Sequence, residues 1–265
     1  MLQIKGVYKT FNAGTINEKK ALNGINLTLN DGDFVTVIGG NGAGKSTMLN
    51  MIAGVYPVDS GSITIDGIDV TRLPEHKRAK YLGRVFQDPM MGTAADMWIE
   101  ENLALAGRRG EKRTLRWALS NKERKEYREM LKELGLGLED RLSTKVGLLS
   151  GGQRQALTLL MATMKRPKLL LLDEHTAALD PKTAATVLGL SDKLIKEEHL
   201  TALMITHNMK DAITYGNRLI MMNEGTIILD VSGEEKKNLT VEDLLTAFSK
   251  LSGTEFTNDR ALLSK

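Results

Sequence analysis

The segment that most constrains the fold is GGNGAGKS, residues 39–46, which matches the pattern G-x-x-x-x-G-K-[S/T]. A strand-like run precedes it and a helical pattern follows it, which is the context this motif requires. The glycines let backbone amides curl around phosphate oxygens, and the helix N-terminus adds a partial positive charge. Lys45 can then reach the β- and γ-phosphates, and Ser46 can offer its hydroxyl to Mg²⁺. The motif predicts binding of a nucleoside triphosphate, in preference to a glycine-rich turn that contains GKS by chance.

Strand-like and helical patterns alternate along the chain, with a helical stretch in the middle. The runs LLLL and ALMIT are almost continuously apolar, which is typical of strands covered on both faces of a parallel sheet. We therefore predict an α/β fold: a P-loop NTPase core with a mostly parallel sheet, an N-terminal antiparallel β subdomain and an inserted α-helical subdomain. The expected boundaries are one domain over 1–265, with its core in 1–88 and 168–248, the helical insert at about 89–167 and a tail at 249–265.

Composition limits the possible classes of function. The 265 residues carry a net charge of +3, too small to predict nucleic-acid binding, and they include no cysteine. The N-terminus lacks the pattern of a signal peptide, and no apolar run approaches the length that spans a bilayer. These features fit a cytosolic protein, which would act at a membrane only through a partner.

A second motif, LLLLDEH, ends a predicted strand with three polar residues. Taken alone, Asp173, Glu174 and His175 could form a metal site or a proton-transfer pair, or the histidine could lie in the loop by chance. Beside a phosphate loop, Asp173 fits the carboxylate on the Mg²⁺ side, and Glu174 fits a general base for the attacking water. A metal role for His175 would need further ligands, and no metal-spaced His/Cys cluster surrounds it.

The segment LSGGQRQ, residues 149–155, predicts another helix N-terminus that can take an anion. Ser150 is a good N-cap, the two glycines free the backbone, and an amphipathic helix follows. Any capped helix could contain such a sequence, but its place shortly before the LLLLDE strand favours the functional interpretation.

The chain resembles an ABC-type ATPase subunit, because it contains what looks like the full motif set in order: GGNGAGKST, VFQDP, LSGGQRQ, LLLLDE, AALD and ITH. The resemblance covers about residues 2 to 248 and is strongest to stand-alone ATPase subunits of bacterial small-solute uptake systems, for example for amino acids. It implies two copies arranged head to tail, each ATP lying between one copy's phosphate loop and the other's LSGGQ. Asp180 in AALD would couple the two sites across this dimer.

Carried over position by position, the resemblance implies a role for each motif residue. His207 would contact the γ-phosphate and hold Glu174 and the water in place, and Gln87 would touch Mg²⁺ or water. Phe11 aligns with the aromatic residue that stacks on adenine and is preferred to its neighbour Tyr8. The other nucleotide contacts implied are Gly39, Asn41, Gly42, Ala43, Gly44, Lys45, Ser46, Thr47, Ser150, Gly151, Gly152, Gln153 and Asp180, and the metal contacts are Ser46, Gln87 and Asp173.

The sequence departs from the family pattern at His175, where most members have proline, DEPT rather than DEHT. Proline suggests a fixed φ and no required N–H, which is a backbone role. A catalytic role would also compete with His207, which already occupies the family's switch position. We therefore predict that His175 is a loop residue, although a histidine here could titrate near neutral pH.

Two segments could face a partner. In the family, the region of QDPMMGTAADMW helps to form the groove that receives a short cytoplasmic helix of the membrane subunit, and packing of the helical subdomain is the alternative. GRRGEKRTLRWAL could meet acidic lipids or the permease, although a solvated basic loop is the favoured interpretation. The residues concerned are Met90, Met91, Met97 and Trp98 in the first segment, and Arg108, Arg109, Lys112, Arg113, Arg116 and Trp117 in the second.

The resemblance implies the ATP-hydrolysing subunit of a multi-subunit ABC transporter, with ATP and Mg²⁺ as its cofactors. Its expected partners are a second copy of itself, integral membrane permease subunits and an extracytoplasmic substrate-binding protein, with no nucleic acid. The permease would hold it on the cytoplasmic face of the cell membrane. Import of a small solute is preferred, and an exporter, a lipid-handling ATPase or a soluble ATPase of cofactor assembly are the alternatives.

We expect His175→Ala to keep most of the ATPase activity, whereas Glu174→Gln and His207→Ala should lose it. The reason is that only the last two change groups assigned to the attacking water. Phosphate release by the three purified variants checks this, and comparable losses in all three would contradict the assignment.

Overall fold

Two β-sheets organise the protein, and the computed structural model describes residues 1–111 and 119–252. The first sheet has four antiparallel strands in the order β2-β1-β4-β5. The second has six strands in the order β10-β9-β3-β8-β7-β6, all parallel except the edge strand β10. The strands are β1 (Leu2–Phe11), β2 (Lys19–Leu29), β3 (Phe34–Gly39), β4 (Ser60–Ile65), β5 (Ile68–Asp69), β6 (Leu82–Val85), β7 (Leu169–Asp173), β8 (Ala202–Ile205), β9 (Arg218–Asn223) and β10 (Thr226–Ser232).

The helices connect these strands and form a separate helical segment in the middle of the chain. They are α1 (Lys45–Ala53), α2 (Glu75–Arg78), α3 (Ile99–Gly107), α4 (Asn121–Lys132), α5 (Gly151–Thr163), α6 (Pro181–Glu197), α7 (Met209–Thr214), α8 (Gly233–Lys237) and α9 (Val241–Ser252), with a short 3-10 helix at Val146–Leu148. The predicted fold is confirmed in its mostly parallel sheet, its antiparallel N-terminal sheet and its helices. The sequence did not predict α2, because four residues are too short to show a helical period.

Helix α1 lies between the two sheets and anchors the phosphate loop that precedes it. Its apolar side chains, such as Leu49 and Ile52, are fully buried in one core with residues of both sheets. The fully buried Arg78 donates hydrogen bonds to the carbonyls of Met51 and Ile52 at 2.7 and 2.9 Å. These carbonyls belong to the last turn of α1, where the Gly54 N–H already donates to Met51 at 3.2 Å and Arg78 adds side-chain donors. Burial and this cap together fix the helix on which the phosphate loop ends.

The parallel strands bring the sequence motifs to one edge of the six-stranded sheet. β6 pairs with β7, β7 with β8, and β8 with β3, all in parallel register. Their carboxyl ends therefore lie side by side, and the loops that leave them carry Gln87, Glu174, His207 and the phosphate loop.

Helix α5 belongs to two hydrophobic cores at once. One face, including Leu157 and Leu160, packs in the core that it forms with α3 and α4. The opposite face, including Leu159 and Ala162, packs in a core with β7 and β8. The side-chain amide of Gln155 also donates to the carbonyl of Phe86 at 2.9 Å. The helical segment is therefore joined to the sheet through α5 and through the loop after β6.

Most of the predicted basic segment and most of the predicted C-terminal tail, 112–118 and 253–265, lie outside the described residues. The described part of the basic segment includes two half-buried arginines. Arg108 pairs with Glu123 at 3.2 Å, and Arg109 donates to the carbonyl of Ala162 at 3.1 Å. These two side chains tie the end of α3 to α4 and α5, which differs from both the solvated and the lipid-facing interpretation.

Within 1–111 and 119–252, no helix combines the length and the apolar character that crossing a membrane requires.

Candidate nucleotide site

One open cavity of about 240 Å³ collects most of the predicted nucleotide-binding residues. It lies at the carboxyl edge of the six-stranded sheet, and β1 and β2 of the antiparallel sheet close one side. The structure thus brings the predicted adenine-side aromatic, the phosphate loop and two catalytic candidates to one place. The lining residues are Phe11, Lys19, Ala21, Asn41, Gly42, Ala43, Gly44, Lys45, Ser46, Thr47, Glu174 and His207.

The phosphate loop needs glycine at both of its ends. Gly39 has φ of 150°, and a Cβ there would lie 2.2 Å from the carbonyl oxygen of Met222. Gly44, the N-cap of α1, has φ of 102°. Between them, the buried Lys45 donates to the carbonyls of Gly39 and Gly40 at 2.6 and 3.1 Å. The ammonium group therefore lies across the loop, directly beside the backbone that would surround a phosphate.

Glu174 and His207 form a close pair in this cavity. His207 Nε2 lies 2.6 Å from Glu174 Oε1, and the glutamate side chain is only 10% exposed while the histidine is 43% exposed. Glu174 has φ of 46°, a left-handed conformation that costs about 1 kcal/mol or more for a residue with a side chain. Its N–H donates to the carbonyl of Ile205 at 3.0 Å, which helps to hold this conformation. The fold thus fixes a carboxylate that can accept a proton, next to an imidazole that can orient it.

Asp173 and Gln87 line a second cavity, of about 650 Å³, rather than the one around the phosphate loop. Burial raises the pKa of the Asp173 carboxyl, and the nearby charge of Arg84 opposes this rise. Arg84 Nη2 lies 3.5 Å from Asp173 Oδ2. Asp173 and Gln87 therefore line a different cavity from Ser46, and Asp173 still lies near the ammonium group of Lys45, whose charge also opposes the rise of its pKa.

The predicted metal contacts suit Mg²⁺ by their chemistry. A carboxylate, a hydroxyl and a side-chain amide provide the hard oxygen atoms that Mg²⁺ prefers, usually with only one or two carboxylates, substrate phosphates and water. Consistent with this pattern, the described part of the chain has no group of three or more His, Asp and Glu residues placed to hold a metal ion. Asp173, Ser46 and Gln87 therefore fit a magnesium ion that arrives with phosphate oxygens.

Phe11 rather than Tyr8 faces the cavity. Phe11 lines it and packs edge-on against Tyr56, with ring centroids 5.2 Å apart. Tyr8 is outside the lining set and 45% exposed. The geometry supports the preference for Phe11 as the stacking residue.

The LSGGQ segment and Asp180 lie outside the residues that line this cavity. Ser150 caps α5 by accepting from the Gln153 N–H at 3.3 Å, and the Gln153 side chain accepts from the Ser150 N–H at 3.3 Å. A Cβ on Gly152 would lie 2.1 Å from Thr183 Cγ2, so this glycine permits α5 to approach α6. Asp180 caps α6 by accepting from the Thr183 N–H at 3.1 Å. Within one chain, the LSGGQ segment and Asp180 begin two different helices, α5 and α6, and neither lines the cavity around the phosphate loop.

His175 lies in the turn after β7, as expected, but it is buried, with an exposed fraction of 1%. Its Nε2 lies 2.9 Å from the hydroxyl of Ser191, which donates to the carbonyl of Val187 at 2.9 Å. Because the hydroxyl proton is used on Val187, the imidazole is the donor and carries its proton on Nε2. Burial lowers the pKa of His175 to about 4. The expectation of titration near neutral pH is therefore wrong, because the ring has no contact with water.

Sequence reasoning missed several residues at these cavities, among them Lys19, Ala21 and Arg84. Lys19 and Ala21 line the phosphate-loop cavity from β2, and Arg84 lines the second cavity. Lys19 is placed by its pairing with Phe11 across β1 and β2, which no local turn motif reveals. For Arg84 a signal was present, since a charged residue inside the apolar strand LGRV is unusual.

Comparison with known families agrees with the kind of site that lies at the edge of the six-stranded sheet. Residues 22–177 match the model of the ABC transporter family, more than half of the chain. The chain therefore belongs to the ABC transporter family, and it is an ATP-binding, ABC-type ATPase.

Two relatives and one solved structure illustrate the similarity. The tyrosine transport ATP-binding protein of Clostridioides difficile (strain R20291) is 46% identical over 248 residues, covering 94% of this chain and 98% of that protein. The spermidine/putrescine import ATP-binding protein PotA of Haemophilus influenzae (strain KW20) is 35% identical, covering 89% of this chain and 59% of that protein. A dimeric, post-hydrolysis structure of the ATP-binding cassette MJ0796 bound to ADP and Pi has 30% identity and a TM-score of 0.74, covering 88% and 98% of the two chains.

We expect Ser191→Ala to lower the free energy of unfolding by about 1–3 kcal/mol, because the buried His175 N–H would lose its acceptor. Urea unfolding measures this change. Thr186→Ala is the matched control, since Thr186 makes the same hydroxyl-to-carbonyl bond on an exposed position of α6. Equal stability of the two variants would contradict a structural role for the His175–Ser191 bond.

Proposed function

We propose that this chain is the ATP-hydrolysing subunit of a multi-subunit ABC importer for a small solute, with an amino acid such as tyrosine as the first candidate. The observation that carries the ATPase part is the Glu174–His207 pair at 2.6 Å, facing a phosphate loop in one cavity. The tyrosine assignment is supported by the transport relative that is 46% identical over 94% of this chain. The proposed unit is a single domain, with the subdomain boundaries inferred above.

Hydrolysis would use the groups of the cavity in fixed roles. Phe11 stacks on adenine, and the amides from Asn41 to Thr47 surround the phosphates. Lys45 moves its donors from the loop carbonyls to the β- and γ-phosphate oxygens. Glu174 takes a proton from water as its oxygen bonds to the γ-phosphorus, while the bond to the β–γ bridging oxygen breaks. His207 holds the Glu174 carboxylate and contacts the γ-phosphate.

Asp173, Ser46 and Gln87 would hold Mg²⁺, which supplies positive charge to the β- and γ-phosphate oxygens. Asp173 and Gln87 also border the second cavity. Gln87 stands at the start of the loop that leads to the helical segment. It would therefore report the nucleotide state to that segment.

The functional unit would be a head-to-tail dimer of this chain. The N-terminus of α5 exposes Ser150 and Gly151, with Gln153 half-buried and Gly152 buried, and it lies outside its own chain's phosphate cavity. Such a terminus attracts an anion, and the γ-phosphate bound by a second copy is a suitable one. The related cassette that was solved as a dimer supports this arrangement. Asp180, at the N-terminus of α6, would couple the two sites.

The permease would dock at the second cavity. Val55, Phe86 and Met91 give it an apolar lining, and Gln87 lies at the same cavity. Met90 and Met91 are 52% and 53% exposed, so they do not pack the helical core. Flexible methionines suit a groove that receives a short helix. Docking there would place the chain on the cytoplasmic face of the membrane, with an extracytoplasmic substrate-binding protein supplying the solute.

We expect Glu174→Gln to bind ATP without hydrolysing it and to form a dimer with ATP but not with ADP. Light scattering after size-exclusion chromatography measures the mass. Adding Gly151→Asp should abolish the dimer, because a carboxylate would face the partner's phosphates. Gly189→Asp, on an exposed position of α6 with open space at Cβ, is the control and should still dimerise. A monomer in ATP, or a dimer with Gly151→Asp, would contradict the arrangement.

We expect cells that lack this chain to lose high-affinity uptake of labelled tyrosine. Wild-type chain should restore the uptake, and Glu174→Gln should not, because transport needs hydrolysis. Lysine and putrescine uptake, measured in parallel, are the controls for solute class. Normal tyrosine uptake with a loss for another solute would reject tyrosine while leaving the ATPase assignment intact.

A further inference from the structure

A partly buried arginine faces the acid that we place on the magnesium side of the site. Arg84 Nη2 lies 3.5 Å from Asp173 Oδ2, and the two side chains are only 14% and 15% exposed. Solvent and salt therefore screen this pair weakly. None of the proposed steps of hydrolysis uses Arg84, and its position on β6, beside β7, directs its charge at the Asp173 carboxylate.

Two contacts hold Arg84 independently of Asp173. Its Nη2 donates to the side-chain oxygen of Asn50 on α1 at 2.7 Å. Its guanidinium lies over the ring of Phe86, 4.5 Å from the ring centroid. Such a cation–π contact contributes about 0.5–2 kcal/mol. The arginine would therefore keep its place if Asp173 turned away from it.

The ion pair itself is loose and incomplete. The 3.5 Å separation is longer than that of a strong charge-assisted hydrogen bond, about 2.7–2.9 Å. Arg84 Nε is buried and has no hydrogen-bond partner among the described residues. Glu75, which lines the same cavity, adds a second negative charge near the guanidinium. Separating Asp173 from Arg84 therefore costs less free energy than separating an ideal bidentate pair would.

We propose that Arg84 is a built-in counter-cation that holds Asp173 when no metal is bound and competes with Mg²⁺ for this carboxylate. The proposal rests on the nucleotide-binding function proposed above. As a consequence, the protein needs a higher Mg²⁺ concentration to bind the ion than the same oxygen ligands would need without Arg84. Arg84 acts through Asp173, so it is a positioning residue and not a catalytic one.

The test measures metal affinity directly, with Mn²⁺ as the spectroscopic probe and ADP as the nucleotide. Arg84→Met removes the charge and keeps most of the volume. We expect the ADP-bound variant to bind Mn²⁺ about tenfold more tightly than wild type, as judged by electron paramagnetic resonance. Coulomb repulsion between close charges in a hydrated cleft has this magnitude. ADP affinity in EDTA should be unchanged, because the phosphate loop is intact.

Three further variants keep the result interpretable. Arg84→Lys retains the charge and should bind Mn²⁺ nearly as wild type does. If Arg84→Met does not fold, Arg84→Gln takes its place and should show the same tighter binding of Mn²⁺. Arg72→Met, at an exposed arginine, should change nothing. Unchanged or weaker Mn²⁺ binding by a folded, uncharged variant that still binds ADP would overturn the role of Arg84. Failure of wild type to bind ADP in EDTA would instead contradict the proposed function.

Discussion

The site depends on one packing arrangement, the burial of α1 between the two sheets. The phosphate loop has left-handed glycines at both ends and a lysine turned onto its own carbonyls, so it has little intrinsic preference for this shape. β3 fixes where the loop begins and α1 fixes where it ends. Arg78 completes the arrangement from the far end of α1, since it donates to the carbonyls of Met51 and Ile52 in the last turn of that helix. The loop keeps its shape because the elements on both sides of it are packed in the core.

The chemical groups around this loop are divided between two cavities. Glu174 and His207, the pair proposed to act on the attacking water, line the same cavity as the phosphate loop. The groups assigned to the metal, Asp173 and Gln87, lie with Arg84 on the side from which a permease would be reached. The residues proposed to hold the metal therefore line the same cavity as the proposed permease contact. If both proposals hold, nucleotide binding would change that surface.

Much of the fold and most of the site could be predicted from the sequence, because the decisive residues stand in contiguous motifs. The phosphate loop, Asp173–Glu174 and the cap at Ser150 need only local rules and the knowledge that parallel strands end at one edge. Lys19, Arg84 and the His175–Ser191 bond could not be placed in this way. Each depends on which strand or helix packs opposite it. Lys19 pairs with Phe11, 8 residues away along the chain, and His175 contacts Ser191, 16 residues away. Sequence spacing alone does not encode that pairing.

The His175–Ser191 bond gives the protein an internal spectroscopic reporter next to its proposed general base. The imidazole N–H is shielded from water and held by a hydroxyl of a different element, so its proton exchanges slowly with solvent. A neutral ring with a single tautomer gives one nitrogen-bound proton signal rather than an average. Because His175 directly follows Glu174, that signal follows rearrangement of the loop through successive nucleotide states without any added label. His175, which stands where the DEPT pattern has proline, thus provides an imidazole N–H signal. Proline has no side-chain N–H and gives no such signal.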